Sequence, residues 1–121
     1  MSQAAQAYSR TSQVTGNARE LEAQALLTAA KKLRDVQTSW AGPNQAMLKA
    51  LLFNRRLWTI FLSAAESEEN PQPLEVRQNI ANISLFVFQQ TIEMQTNPDP
   101  SKLKSLIDIN CNIAAGLAGR A

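Results

Sequence analysis

The sequence predicts an all-α fold, a small four-helix bundle preceded by a flexible N-terminal arm. Three observations predict it. Apolar residues recur at three- and four-residue spacing from Ala18 onward, helix breakers fall at three points between those runs, and no segment alternates with the period of a strand. With 121 residues the chain suits one domain, so the division expected is an arm over residues 1–17 and a single helical domain over 18–121.

Residues 1–17 are small and polar apart from Tyr8 and Val14, which is the composition of an arm. Asn17 followed by Glu20 has the spacing of an N-cap and its capping-box partner. The first helix is therefore expected from about Ala18 to Gln37. Its apolar arc (Ala18, Ala25, Leu26, Ala29, Leu33, Val36) is rich in alanine and permits close helix approach. The segment Trp40-Ala41-Gly42-Pro43 breaks the pattern, and Asn44 can cap a second helix from about Gln45 to Ala65. That helix is apolar round much of its circumference, which marks either a central element or one that serves both a core and a partner.

An acidic, proline-punctuated loop runs from Glu66 to Pro73, with Pro73 suited to the first turn of the third helix. At about 100° per residue the third helix, 73–95, carries two apolar stripes. Val76, Ile80, Ile83, Val87 and Met94 form one, and Leu74, Ala81, Leu85, Phe88 and Ile92 the other. Arg77, Ser84 and Thr91 lie in a polar seam between them. Asn97-Pro98-Asp99-Pro100 ends this helix and starts the fourth, which runs to about Ala115 with Leu103, Leu106, Ile107, Asn110, Ile113, Ala114 and Leu117 on one stripe. Gly116 and Gly119 close it.

Composition excludes several function classes. There is no histidine, hence neither the commonest general base nor the commonest metal ligand. No Gly-rich phosphate loop or metal-ligand spacing is present, so neither enzyme activity nor a metal or other cofactor is expected. The single cysteine, Cys111, reads as a packing residue, and the absence of cysteine pairs suits a reducing compartment. Neither a secretory leader nor a run of about 20 apolar residues is seen, so a cytoplasmic protein without membrane contact is expected. A net charge of +2 is too small to argue for nucleic acid, and direct binding to it is not expected. Adjacent Arg55 and Arg56 point about 100° apart on a helix and make no patch by themselves. They suit the rim of an apolar groove as well as a plain charged surface. Asn110, inside an apolar stripe, either fixes the register between helices or hydrogen-bonds a partner's backbone. The second stripe of the third helix either completes the bundle, receives a partner helix, or mediates self-association, and periodicity does not choose among these.

The blocks Phe53-Asn54-Arg55-Arg56-Leu57-Trp58-Thr59, Glu69-Asn70-Pro71-Gln72-Pro73-Leu74-Glu75 and Gln78-Asn79-Ile80-Ala81-Asn82-Ile83, with Phe86-Val87-Phe88, together resemble FlaF, the flagellar biosynthesis regulators of alphaproteobacteria. Tyr8-Ser9-Arg10-Thr11 and the closing Ile113-Ala114-Ala115-Gly116-Leu117 extend the resemblance over nearly the whole chain. It implies a cytosolic protein needed for flagellin production, acting on flagellin as a secretion chaperone and alongside FlbT, a regulator of flagellin mRNA translation. On that footing a terminal amphipathic flagellin segment is expected along the second and third helices. Its apolar side would lie against Leu57, Trp58, Phe61, Leu85 and Phe88, within a polar rim of Arg55, Arg56, Arg77 and Asn79. Competing expectations are direct control of flagellin mRNA by RNA binding and a role as an adaptor for FlbT.

Overall fold

The computed structural model describes the backbone of residues 3–119 and the side chains of residues 18–119. Its elements are α1 (Gln3–Thr38), α2 (Gln45–Glu66), α3 (Leu74–Thr96), a single 3-10 turn (Pro100–Lys102) and α4 (Leu103–Leu117). The fold is all-α, as the periodicity predicts, with no strand among the described residues. The helical path of α1 extends well before the start expected at Ala18, so Asn17 is not its cap. The arm expected over 1–17 falls outside the residues whose side chains are described.

The predicted breakers act as expected. Gly42 turns the chain after α1 at φ 92°, a conformation that strains any residue with a Cβ. Asn44 then caps α2, its side-chain oxygen accepting from the Met47 N–H at 3.0 Å. Pro73 occupies the N-cap position of α3 rather than its first turn, and Glu75 lies in that turn against the helix dipole. The carboxylate of Asp99 accepts from the Ser101 N–H at 2.9 Å, which starts the 3-10 turn leading into α4. These bonds hold the Asp99 pKa below its usual value, the backbone N–H being the larger cause. Gly119, at φ 74°, takes the left-handed position just past the end of α4.

α1 packs chiefly on α4, α2 on α3, and α1 on α2, so the spatial order is α3–α2–α1–α4. α3 and α4 meet mainly where the loop joins them. There Gln90 donates to the Lys102 carbonyl at 3.1 Å, and Lys102 reaches Glu93 at 3.1 Å and the Asn97 carbonyl at 2.7 Å. The core runs through Leu26, Leu33, Leu51, Trp58, Val87, Met94, Leu103 and Leu106. On α1 the buried alanines are Ala23, Ala29 and Ala30. Ala18 is exposed and Ala25 half-buried, so Ala23 and Ala30 take their places in the contact arc. No helix among the described residues is long and apolar enough to cross a membrane.

Candidate partner-binding surface

α3 resolves its two stripes unequally. Val87 and Met94 are fully buried, and the core line continues through Ser84 and Thr91 rather than leaving them in a polar seam. Both hydroxyls donate back to their own helix, Ser84 to the Ile80 carbonyl at 2.8 Å and Thr91 to that of Val87 at 2.7 Å. A small side chain whose polar atom is satisfied within one turn can face a neighbouring helix without an unpaired group. That is why the burial axis rotates toward the seam and α2 lies there.

The second stripe is left to solvent. Leu74, Leu85 and Ile92 are 63%, 54% and 59% exposed, with Phe88 half-buried beside them. On α2, Leu48 and Leu52 are also exposed, and Leu52 lines a groove shared with α1. The register of the pair follows from Arg77, whose Nε donates to the Ala65 carbonyl at 2.8 Å. Counting back along α2 and forward along α3 from that contact brings Leu48 and Leu52 level with Met94 and Gln90. The outer face of α3 therefore carries an apolar stripe exposed among the described residues. Leu85 and Phe88 were expected in a partner site; Ile92 was not, although it stood in the second stripe all along.

The remaining expected site residues are dispersed. Trp58 is fully buried and cannot face a partner: its Nε1 donates to Asn110 Oδ1 at 2.9 Å across the α2–α4 interface. Asn110 Nδ2 in turn donates to Asn54 Oδ1 at 2.6 Å and approaches the Leu26 carbonyl at 3.5 Å. The indole can only donate, so it fixes which way the Asn110 amide points, and Asn110 then fixes Asn54. Asn54 Nδ2 is left buried with no hydrogen-bond partner in the protein. Asn110 thus ties α4 to both α2 and α1, the structural role of the two open to it. Leu57 is half-buried. So is Phe61, which stacks edge-on to Trp58 with ring centres 5.3 Å apart.

Arg77 is half-buried and tied to the end of α2. Besides Ala65 it donates from Nη2 to the Ser67 carbonyl at 2.9 Å, and Asn70 Nδ2 donates to that of Ala64 at 2.8 Å. Together these side chains bond the Ala64 and Ala65 carbonyls in the last turn of α2 and that of its C-cap, Ser67. Asn79 and Arg55 are exposed on α3 and α2, and Arg56 lines a different groove, between α1 and α2. Beyond the core, the N-terminal half of α3 diverges from the C-terminal half of α4. They flank a cavity of about 670 Å³ whose apolar lining includes Phe61, Ile80, Ile113 and Leu117. Glu22 stands at its rim, where desolvation raises the carboxyl pKa and the Arg19 charge partly offsets the rise.

Among the described residues no cluster of acidic or cysteine side chains could hold a metal ion. Cys111 is half-buried and reduced, with an Arg34 guanidinium nitrogen 3.7 Å from its sulfur. The surface offers apolar area and charge, the means of recognition. A family model described as flagellar protein FlaF matches residues 4–117. No curated protein and no solved structure matches the chain.

Proposed function

This chain belongs to the FlaF family of flagellar proteins, and from that premise we propose that it is a flagellin-binding secretion chaperone that couples flagellin export to flagellin synthesis. The observation that carries the reading is the exposed stripe Leu74, Leu85 and Ile92 on α3. From Leu74 to Ile92 the stripe extends about 27 Å at 1.5 Å per residue, room for several turns of a partner helix. An amphipathic flagellin segment would lie along it in the helix-in-groove mode, its apolar side on Leu85, Phe88 and Ile92. Covering the exposed halves of Leu85 and Ile92 would supply about 1 kcal/mol each. Flagellin held in this way would have its assembly-prone helix shielded until export, and its release would signal that export is under way.

Co-purification tests the reading. The double variant Leu85→Asp with Ile92→Asp changes two solvent-exposed side chains, so its circular dichroism is expected to match that of the parent protein. Flagellin co-purified with it is expected to fall at least about tenfold, because two charges would be desolvated against an apolar helix. Retention of flagellin at the parent level by the folded double variant would refute the site.

A further inference from the structure

On the side of α2 turned away from α3, the C-terminal part of α1 and the N-terminal part of α2 flank a groove of about 610 Å³. Val36 and Ala50 form a buried, narrow floor. Phe53 stands on its wall with the Lys32 ammonium 5.2 Å above the ring centre. Lys49 and Arg56, seven positions apart on α2 and so on one face, complete the wall. The only acid lining the groove, Asp35, is held by Lys31 at 2.9 Å. No carboxylate among the described residues forms an ion pair with Lys32, Lys49 or Arg56. The whole chain carries a net charge of only +2, so three uncompensated cations in one groove are a local concentration rather than a general basic character.

We propose that this α1–α2 groove is a second docking site, one that takes an acidic amphipathic helix from a partner protein. Charge complementarity commits the occupant: an apolar floor between unpaired cations fits a helix with one apolar stripe flanked by Glu or Asp. Small side chains at Ala46 and Ala50 let such a helix approach closely. Single-stranded nucleic acid fits less well. Stacking needs an open aromatic face, and here the one ring in the groove already carries an ammonium over it. The groove lies apart from the α3 stripe, so the proposal stands whatever occupies that stripe.

The full chain is titrated against a fluorescently labelled leucine–glutamate amphipathic peptide of about 18 residues, five helical turns. A leucine–lysine peptide of the same pattern and a single-stranded RNA of about 20 nucleotides serve as alternative probes. The glutamate peptide is expected to bind at least about tenfold more tightly than the lysine peptide, and to weaken as salt rises from about 50 to 300 mM. Lys49→Glu combined with Arg56→Glu is expected to weaken it about tenfold or more, and Phe53→Ala to weaken it at every salt concentration. Lys104→Glu on α4 and Leu85→Asp on α3 are expected to leave it within about twofold. Equal binding of the two peptides, no binding of the glutamate peptide, or indifference to the Lys49/Arg56 reversal would each overturn the proposal. Tighter binding of the RNA, lost on the same reversal, would overturn it in favour of a nucleic-acid site.

Discussion

Asn54 and Asn110 are both fully buried and joined by a 2.6 Å hydrogen bond, yet they stand in opposite energetic positions. Asn110 satisfies the indole of Trp58 and meets Asn54 and the Leu26 carbonyl. Replacing it by leucine strands the indole N–H and leaves both ends of the Asn54 amide unpaired, a cost of about 2–4 kcal/mol. Asn54 contributes one acceptor and carries an unpaired amino group. Asn54→Leu removes that orphan and should cost about 1 kcal/mol or less. Urea denaturation followed by the combined fluorescence of Trp40 and Trp58 gives both values, and the double variant should fall short of their sum because the two amides share one bond. Glu22 supplies a residue-scale effect of pH. Its carboxyl pKa is raised in the folded protein by desolvation, so the native state binds the proton more tightly than the unfolded chain and stability declines as pH rises through that interval. Glu22→Gln should therefore raise the thermal midpoint at neutral pH by a small amount, under about 2 °C given its solvent access. The gain should vanish below the ordinary glutamate range near 4.5, where both proteins are uncharged at this position.

At the scale of elements, the helices and most of their ends were legible because the signals are local, the start of α1 excepted. Asn44, Asp99 and Gly119 act within one turn of themselves, and caps and turns need only neighbours in sequence. The presence of a second apolar stripe on α3 was legible for the same reason. Which stripe meets the core was not, because that depends on where α2 lies. Two polar residues decided it: Ser84 and Thr91 bond to their own backbone and so behave as small core side chains. Counting polarity alone put them on the wrong face. Trp58 failed differently. It was expected against a partner's apolar side, but it is fully buried and its indole complement is Asn110, more than fifty residues away, a bond that no spacing reveals. Arg77 was expected at a rim because an arginine on a helix beside apolar residues is usually solvated. Its role emerges only when the end of α2 is brought against it, presenting unpaired carbonyls. Arg77→Met keeps the aliphatic stem and removes those donors. It should cost about 1–2 kcal/mol and speed hydrogen exchange in the last turn of α2, while flagellin co-purification with the folded variant stays at the parent level. A parallel loss of flagellin would return Arg77 to the binding surface.

At the scale of the whole molecule, the order α3–α2–α1–α4 leaves the bundle unequally supported. α1 lies between α2 and α4, and the α1–α4 contact is the most extensive in the chain. α3 rests on α2 along its length but on α4 only near the connecting loop, where Gln90, Glu93 and Lys102 hold the two together. Its N-terminal half has the end cavity on one side and solvent on the other. An element supported on one side opens at lower free energy than one packed between two neighbours. Amides of α3 from about Ile80 to Phe88 should therefore exchange faster than those of α4 from Leu106 to Ala114, despite comparable helical hydrogen bonding. Hydrogen exchange read by mass spectrometry separates these segments directly. Flagellin seated on Leu85 and Ile92 would stabilise the closed form of α3 by mass action and slow its exchange toward that of α4. The α1–α2 hairpin, already buried on the α4 side, would change little. Slowing spread evenly over all four helices would instead mean that the ligand acts on global unfolding, and that α3 is not the element whose local opening it governs.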